Sequence, residues 1–170
     1  MERRPATADE AKALAHPLRL RILRLCLDEA LTNKELADRL GRDPATLLHH
    51  VRTLERTGFL AAQAERRGAR GARERPYRAT GKSWTIDVGE DPTQTMASLE
   101  AFRAELAESP EVALMTRVSM RLTPDDLHAF AERLQALVEE YLAKDDAAQS
   151  PVGFFAAAHH RGRGPTAPPA

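Results

Sequence analysis

The sequence is short of the residues from which several classes of site are built. Its 170 residues include one cysteine, one tryptophan and two tyrosines, and aromatic residues make up 5%. The lone Cys26 cannot close an internal disulfide or supply a thiolate-rich metal site, so the chain reads as cytoplasmic, without an obligatory metal and with no cofactor. No apolar run approaches the roughly 18 residues needed to cross a bilayer, and Met1-Glu-Arg-Arg-Pro-Ala lacks the apolar segment of a signal peptide, so no membrane partner is expected. A phosphate loop, a nucleophile elbow and a metalloprotease helix are all missing, which argues against an enzyme. Net charge is missing as well, since 25 Lys+Arg match 25 Asp+Glu.

What is present is a 42% hydrophobic content, enough for the core of one ordinary domain or two small ones. The charge balance conceals two unlike halves. Residues 1–90 hold 18 basic and 13 acidic residues, and residues 91–170 hold 7 and 12, giving +5 and −5. Between Arg39 and Lys82 the excess sharpens to 11 basic against 4 acidic residues. That is the footprint of a surface that meets phosphates, although a solvated basic loop has the same composition.

The first half reads as short helices with clear punctuation. A helix over 8–14 is broken at His16-Pro17, because the proline ring disfavours helical geometry before it and suits the first position of the next helix. That second helix runs to about Asp28, with Leu18, Ile22 and Leu25 at helical spacing. Thr32 with Glu35 forms a capping box for a third helix ending at Leu40-Gly41. A fourth opens at Asp43-Pro44, carries Leu47, Val51 and Leu54 as a one-sided apolar stripe and stops at Gly58. Two short helices joined this closely make a helix-turn-helix. After it, extended segments on either side of a tip rich in Gly and Arg predict a β-hairpin, which in this position is a wing.

These residues carry a family likeness. The stretch ALAHPLRLRIL at 13–23 resembles the second-helix signature of ArsR-like winged-helix repressors, and GRDPATLLHHVRTLERTGFL at 41–60 is similar to their recognition helix and following strand. The resemblance covers about 8–80 and implies a winged helix-turn-helix that binds double-stranded DNA. Leu48 departs from it, standing where the family usually has a small hydroxyl residue, so no operator sequence transfers. The positions of the family's thiolate motif are Thr32, Lys34 and Ala37, none of them cysteine. Asp126, His128 and Glu139 faintly resemble a metal site that some relatives place on a C-terminal helix. Residues two apart on a helix point apart, however, and no metal ligand is assigned.

The second half predicts a smaller module over 91–158. Asp91-Pro92 marks its boundary, and 93–108 reads as an amphipathic helix with Met96, Leu99, Phe102 and Leu106 on one side. Val112, Leu114, Val118, Met120 and Leu122 alternate with mostly polar neighbours, the period of a half-buried strand. Thr123-Pro124-Asp-Asp starts a helix running to about Lys144. On it Leu127, Phe130, Leu134, Leu137 and Tyr141 form a seam for the domain's own sheet or for a second subunit. The apolar run at 151–158 reads as another strand, and 159–170 as a disordered tail. The expected fold class is therefore mainly α with small β, an α+β chain of a winged helix-turn-helix over 8–82 followed by an α-β-α-β dimerisation or effector module.

On the recognition helix, Pro44, Ala45, Leu48 and His49 are the candidates for base edges, with Arg42, Thr46 and Arg52 placed for phosphates. His50 turns inward as a hydrogen-bonded structural histidine. In the wing, Arg66, Arg67, Arg70, Arg73 and Arg75 are further candidates for the DNA backbone. The resulting reading is a dimeric transcriptional repressor on a palindromic operator. Two alternatives stay open: a regulator gated by an unidentified small molecule or metal, and a winged-helix module for protein partners.

Overall fold

Helical punctuation carries through from the sequence into the backbone of the computed structural model, which describes residues 3–68, 71–89, 91–146 and 148–159. Thr7 and Glu10 form a capping box for α1 (Ala8–Leu14). His16 caps α2 (Pro17–Asp28), its Nδ1 accepting the Leu18 N–H at 3.2 Å. A second capping box, Thr32 with Glu35, opens α3 (Asn33–Leu40), which closes on Gly41 in the left-handed region at φ 59°. Glycine occupies that region without the Cβ penalty other residues meet. Asp43 then accepts the Thr46 N–H at 3.0 Å and caps α4 (Pro44–Arg56).

The strands are short: β1 (Arg4–Pro5), β2 (Leu31–Thr32), β3 (Leu60–Ala62), β4 (Arg66–Arg67), β5 (Arg73–Glu74), β6 (Pro76–Ala79) and β7 (Ile86–Asp87). β6 lies between β2 and β3 in an antiparallel sheet, with Leu31 opposite Tyr77 and Leu60 opposite Ala79. The β3–β6 hairpin continues outward as β4 and β5, with Arg66 opposite Glu74. This is the wing expected from the sequence. β1 pairs in parallel with β7 and so ties the start of the described chain to the residues after the wing.

One core serves all of this. Ile22, Leu36, Leu47, Val51 and Leu54 have no exposed surface, and Phe59 and Leu31 have 1%. Cys26 sits among them, fully buried, and burial pushes its thiol up to about 12. At its edge the carboxylate of Glu10 gathers the N-terminal elements, accepting from Arg4 at 2.9 and 2.6 Å and from the Thr7 N–H at 2.8 Å, with the Lys82 ammonium at 2.7 Å. Arg4 first, then Lys82 and Thr7, hold Glu10 well below the usual carboxylate range.

His50, expected inside and hydrogen-bonded, is half-buried, but its buried Nδ1 has no partner among the described residues. Its ring lies tilted against that of His16 instead, with centroids 4.5 Å apart and planes 58° to each other. Burial, followed by the charges of His16, Arg19 and His49, pulls His50 down to about 4. Burial lowers His16 too.

The second half departs from expectation in two respects. The first is the face of α5 (Pro92–Glu108). The expected contact side of Met96, Leu99, Phe102 and Leu106 turns largely away, with Met96, Leu99 and Leu106 39–53% exposed. The opposite side, Gln94, Ala97 and Ala101, is buried against α1 and α2. Small side chains let two helix axes approach closely, and polar groups on this side find partners. Gln94 donates to the Ala11 carbonyl, and Glu108 pairs with Arg21 at 2.5 Å. Shape and polar fit outweigh the larger apolar area on the far side. Phe102 is half-buried and stacks on Phe155 at 5.4 Å.

The second concerns the strands expected at 112–122 and 151–158. Neither segment belongs to any β-ladder among the described residues. Alternation marks a face to bury, but a strand also needs a neighbouring strand, and none pairs with either segment among the described residues. The following helix, α6 (Pro124–Leu142), forms with Thr123 as its cap. Its seam is mostly uncovered: Leu127 and Leu134 are half-buried, while Phe130, Leu137 and Tyr141 are 43–63% exposed. Of the tail, only His159 lies within the described residues. The whole is mainly α with small β, with a winged helix-turn-helix at its centre.

Two outcomes follow for stability. Ala101→Leu should overfill the α2–α5 contact and lower stability by about 1–3 kcal/mol in thermal melts. Leu99→Ala on the outer face should change the melting temperature far less, and the reverse order would mean α5 is turned the other way. For His50, the unfolded side chain takes up a proton near pH 6.5, whereas the folded one stays neutral until about pH 4. The unfolded state therefore binds more protons in that window, so stability should fall as pH drops from 6.5 towards 4. His50→Gln should flatten that slope.

Candidate nucleic-acid interface

The geometry of α4 follows from its buried stripe. At 100° per residue, Leu47, Val51 and Leu54 point one way and Ala45, His49, Arg52 and Arg56 point the other. The first three are fully buried and the last four are exposed. The helix is thus locked in rotation by its core side, and what it presents outward is set by spacing. Of the expected base-edge set, Pro44, Ala45 and His49 are exposed, while Leu48 is half-buried on the flank. Thr46 is exposed but engaged in the cap, its hydroxyl 3.4 Å from Asp43.

The position of α4 relative to α3 is fixed by the tight turn at Gly41. The Arg42 N–H donates to the Ala37 carbonyl at 2.9 Å, and the Asn33 amide donates across the turn to the Pro44 carbonyl at 2.8 Å. Arg42 itself is exposed at the corner.

The wing arginines divide into two groups. Arg66 pairs with Glu35 of α3 at 2.6 Å and with Glu74 at 3.5 Å, and Arg75 pairs with Glu55 of α4 at 2.9 Å, so both tether the hairpin to the helices. Arg73 reaches Glu65 at 3.5 Å. Arg42, Arg52 and Arg67 have no acidic partner among the described residues. Arg70 lies outside the described residues. Arg78 donates inward to the Leu27 carbonyl at 3.3 Å.

Three further cations join this surface. Lys12 of α1 and Arg19 of α2 come beside His49 and Arg56 around an open space of about 180 Å³ between α1, α2 and α4. Arg19 is held by donating to the Lys12 carbonyl at 2.8 Å, and Arg56 by Asp9 at 3.1 Å. Arg56 was legible in the sequence, since 49, 52 and 56 recur at helical spacing. The contribution of Lys12 and Arg19 depends on the packing of α1 and α2 against α4. Lys12, Arg19, His49 and Arg56 thus gather between α1, α2 and α4 with Asp9 beside them, and on the wing Arg66, Arg73 and Arg75 stand in exposed pairs with glutamates.

The chain matches no curated protein. Several solved structures resemble it over part of its length. Reduced HlyU from Vibrio cholerae N16961 is 27% identical, covering 52% of this chain and 77% of its own, with a TM-score of 0.35. The transcriptional repressor BigR from Xylella fastidiosa is 19% identical over 59% of this chain and 84% of its own, with a TM-score of 0.36. Wild-type ZitR of Lactococcus lactis in complex with DNA is 18% identical over 74% of each chain, with a TM-score of 0.34. The stretch from the end of α1 through β3, residues 14–62, matches the model of a family described as a helix-turn-helix domain.

Proposed function

We propose that this protein is a sequence-specific DNA-binding transcriptional regulator. It would act as a dimeric repressor by occupying a palindromic operator. The observation that carries the reading is the rotation of α4, whose fully buried Leu47, Val51 and Leu54 leave Ala45, His49 and Arg52 facing outward beside an arginine-bearing wing. A helix of this width enters the major groove of B-DNA. In that pose Pro44, Ala45, Leu48 and His49 meet base edges, the apolar ones against thymine methyls and His49 against a purine edge. Arg42, Thr46 and Arg52 lie along the phosphates on either side.

The wing adds affinity rather than sequence. Arg67 is free to meet the backbone, and the pairs holding Arg66, Arg73 and Arg75 are exposed enough for phosphates to compete for them. Lys12, Arg19 and Arg56 would extend the phosphate track past the N-terminal end of α2. The uncovered seam of α6 supports a second copy, which a palindromic site requires. Two-fold symmetry then sets half-sites about one helical turn, roughly 34 Å, apart.

Selection from a random DNA pool with the purified chain tests this directly, and an enriched palindrome is the expected result. His49→Ala should lower affinity for the selected operator by about 1–3 kcal/mol and leave non-specific binding nearly intact, the pattern of direct readout. Arg67→Ala should weaken specific and unrelated DNA alike and reduce the salt slope by about one unit, as expected when one phosphate contact is lost. Equal loss on all sequences for His49→Ala would remove it from the base-reading set.

A further inference from the structure

The segment between α5 and α6 has the alternation of a strand but pairs with no other strand among the described residues. Residues 110–122 are exposed throughout and belong to no β-ladder among the described residues. Val112, Leu114, Val118, Met120 and Leu122, all at even positions, are 42–77% exposed, and Phe130, Leu137 and Tyr141 of α6 are 43–63% exposed. Large apolar and aromatic side chains present roughly 150–200 Å² each when fully exposed, so these eight leave on the order of 800 Å² of apolar surface in water. A stable interface buries about that much on each partner.

We propose that this segment pairs antiparallel with the same segment of a second copy, about a two-fold axis passing through Thr116. The proposal rests on the dimeric reading above and specifies how the dimer is built. Antiparallel self-pairing is the arrangement a two-fold axis generates from one strand. The register follows from the side chains. With the axis at Thr116, Glu111 stands opposite Arg121 at both ends, Val112 opposite Met120, Leu114 opposite Val118, and Thr116 opposite its own copy. Opposite charges, apolar pairs and a Thr–Thr pair are the combinations that stabilise facing positions. Moving the axis to Arg117 sets two arginines against each other and puts Glu111 opposite Thr123. Moving it to Met115 puts Leu114 opposite Thr116 and Met120 opposite Pro110, with neither charge matched. Of these three registers only the one at Thr116 matches Glu111 with Arg121 while keeping Val112–Met120 and Leu114–Val118 as apolar pairs, with Leu122 falling opposite Pro110 at the end of the ladder and Met115 opposite Arg117 on the other face. The even-numbered apolar residues then form one continuous side, which the seam of α6 can cover.

The test uses the full-length chain without DNA, so it is independent of operator binding. Thr116→Cys should form a disulfide-linked dimer under mild oxidation, because residues facing across a two-fold axis fall within disulfide reach. Arg121→Cys is the control. In this register its two copies lie ten positions, or roughly 34 Å, apart, and it should cross-link about ten-fold more slowly or less. Cys26 is fully buried and does not compete. Glu111→Arg should raise the dimer dissociation constant about ten-fold in sedimentation, and adding Arg121→Glu should restore it. A dimer that cross-links no faster at 116 than at 121, or that is indifferent to Glu111→Arg, would overturn the strand pairing while leaving a dimeric regulator with another interface. A chain that stays monomeric and uncross-linked would overturn both the pairing and the dimeric reading. It would leave the segment to an intramolecular partner such as 151–158, while DNA selection would still report on DNA binding.

Discussion

Everything proposed for the DNA-facing surface depends on the complete burial of Leu47, Val51 and Leu54. A helix whose apolar stripe is fully inserted cannot roll, because a rotation of one residue would expose one of these side chains and bury a polar one. Each such exposure costs about 1.5–3 kcal/mol. The outward residues need no anchoring of their own. His49 and Arg52 can be solvated and mobile at their tips while their Cα positions are held by the opposite side of the helix. The cap at Asp43 and the tight turn at Gly41 then fix where the helix starts, and the Asn33 amide fixes how it leaves α3.

The same economy governs the elements around α4. Two capping boxes, a histidine cap and an aspartate cap satisfy the backbone groups of four consecutive helices, so little polar backbone has to be accommodated in the core. Glu10 performs a related task at longer range, joining β1, α1 and the turn after the wing through Arg4 and Lys82. Its neighbours reduce the cost of burying a carboxylate and make β1 part of the folded body. The tilted contact of His16 with His50 joins the start of α2 to α4 but leaves the buried Nδ1 of His50 without a partner among the described residues. Both rings are partly withdrawn from water, and that burial is the first cause of their lowered basicity.

On the wing, electrostatics is distributed in a way that serves both folding and binding. Arg66 and Arg75 spend their charge within the chain, setting the angle of the hairpin against α3 and α4. Arg67 is left over for a ligand. Exposed pairs of this kind contribute little to stability, typically below about 1 kcal/mol. A phosphate arriving nearby therefore meets arginines that are positioned but not strongly committed.

The N-terminal architecture was legible from residue order alone because its determinants are local. Caps, proline at the first helical position, glycine at the turns and a stripe at helical spacing act within one or two turns of chain, and each appeared in the structure where the spacing placed it. The outward placement of Ala45, His49 and Arg52 on α4 was legible for the same reason. What residue order could not supply was the choice among neighbours. On α5 the larger apolar side lost to Ala97 and Ala101, because contact with α2 rewards close approach and a place for Gln94 and Glu108, which only the facing helix defines. Lys12 and Arg19 come beside His49 and Arg56 through the packing of α1 and α2, at a distance along the chain that no local pattern spans. The alternation over 112–122 specified a strand without specifying a partner. Periodicity is a property of one segment, whereas a ladder is a property of two.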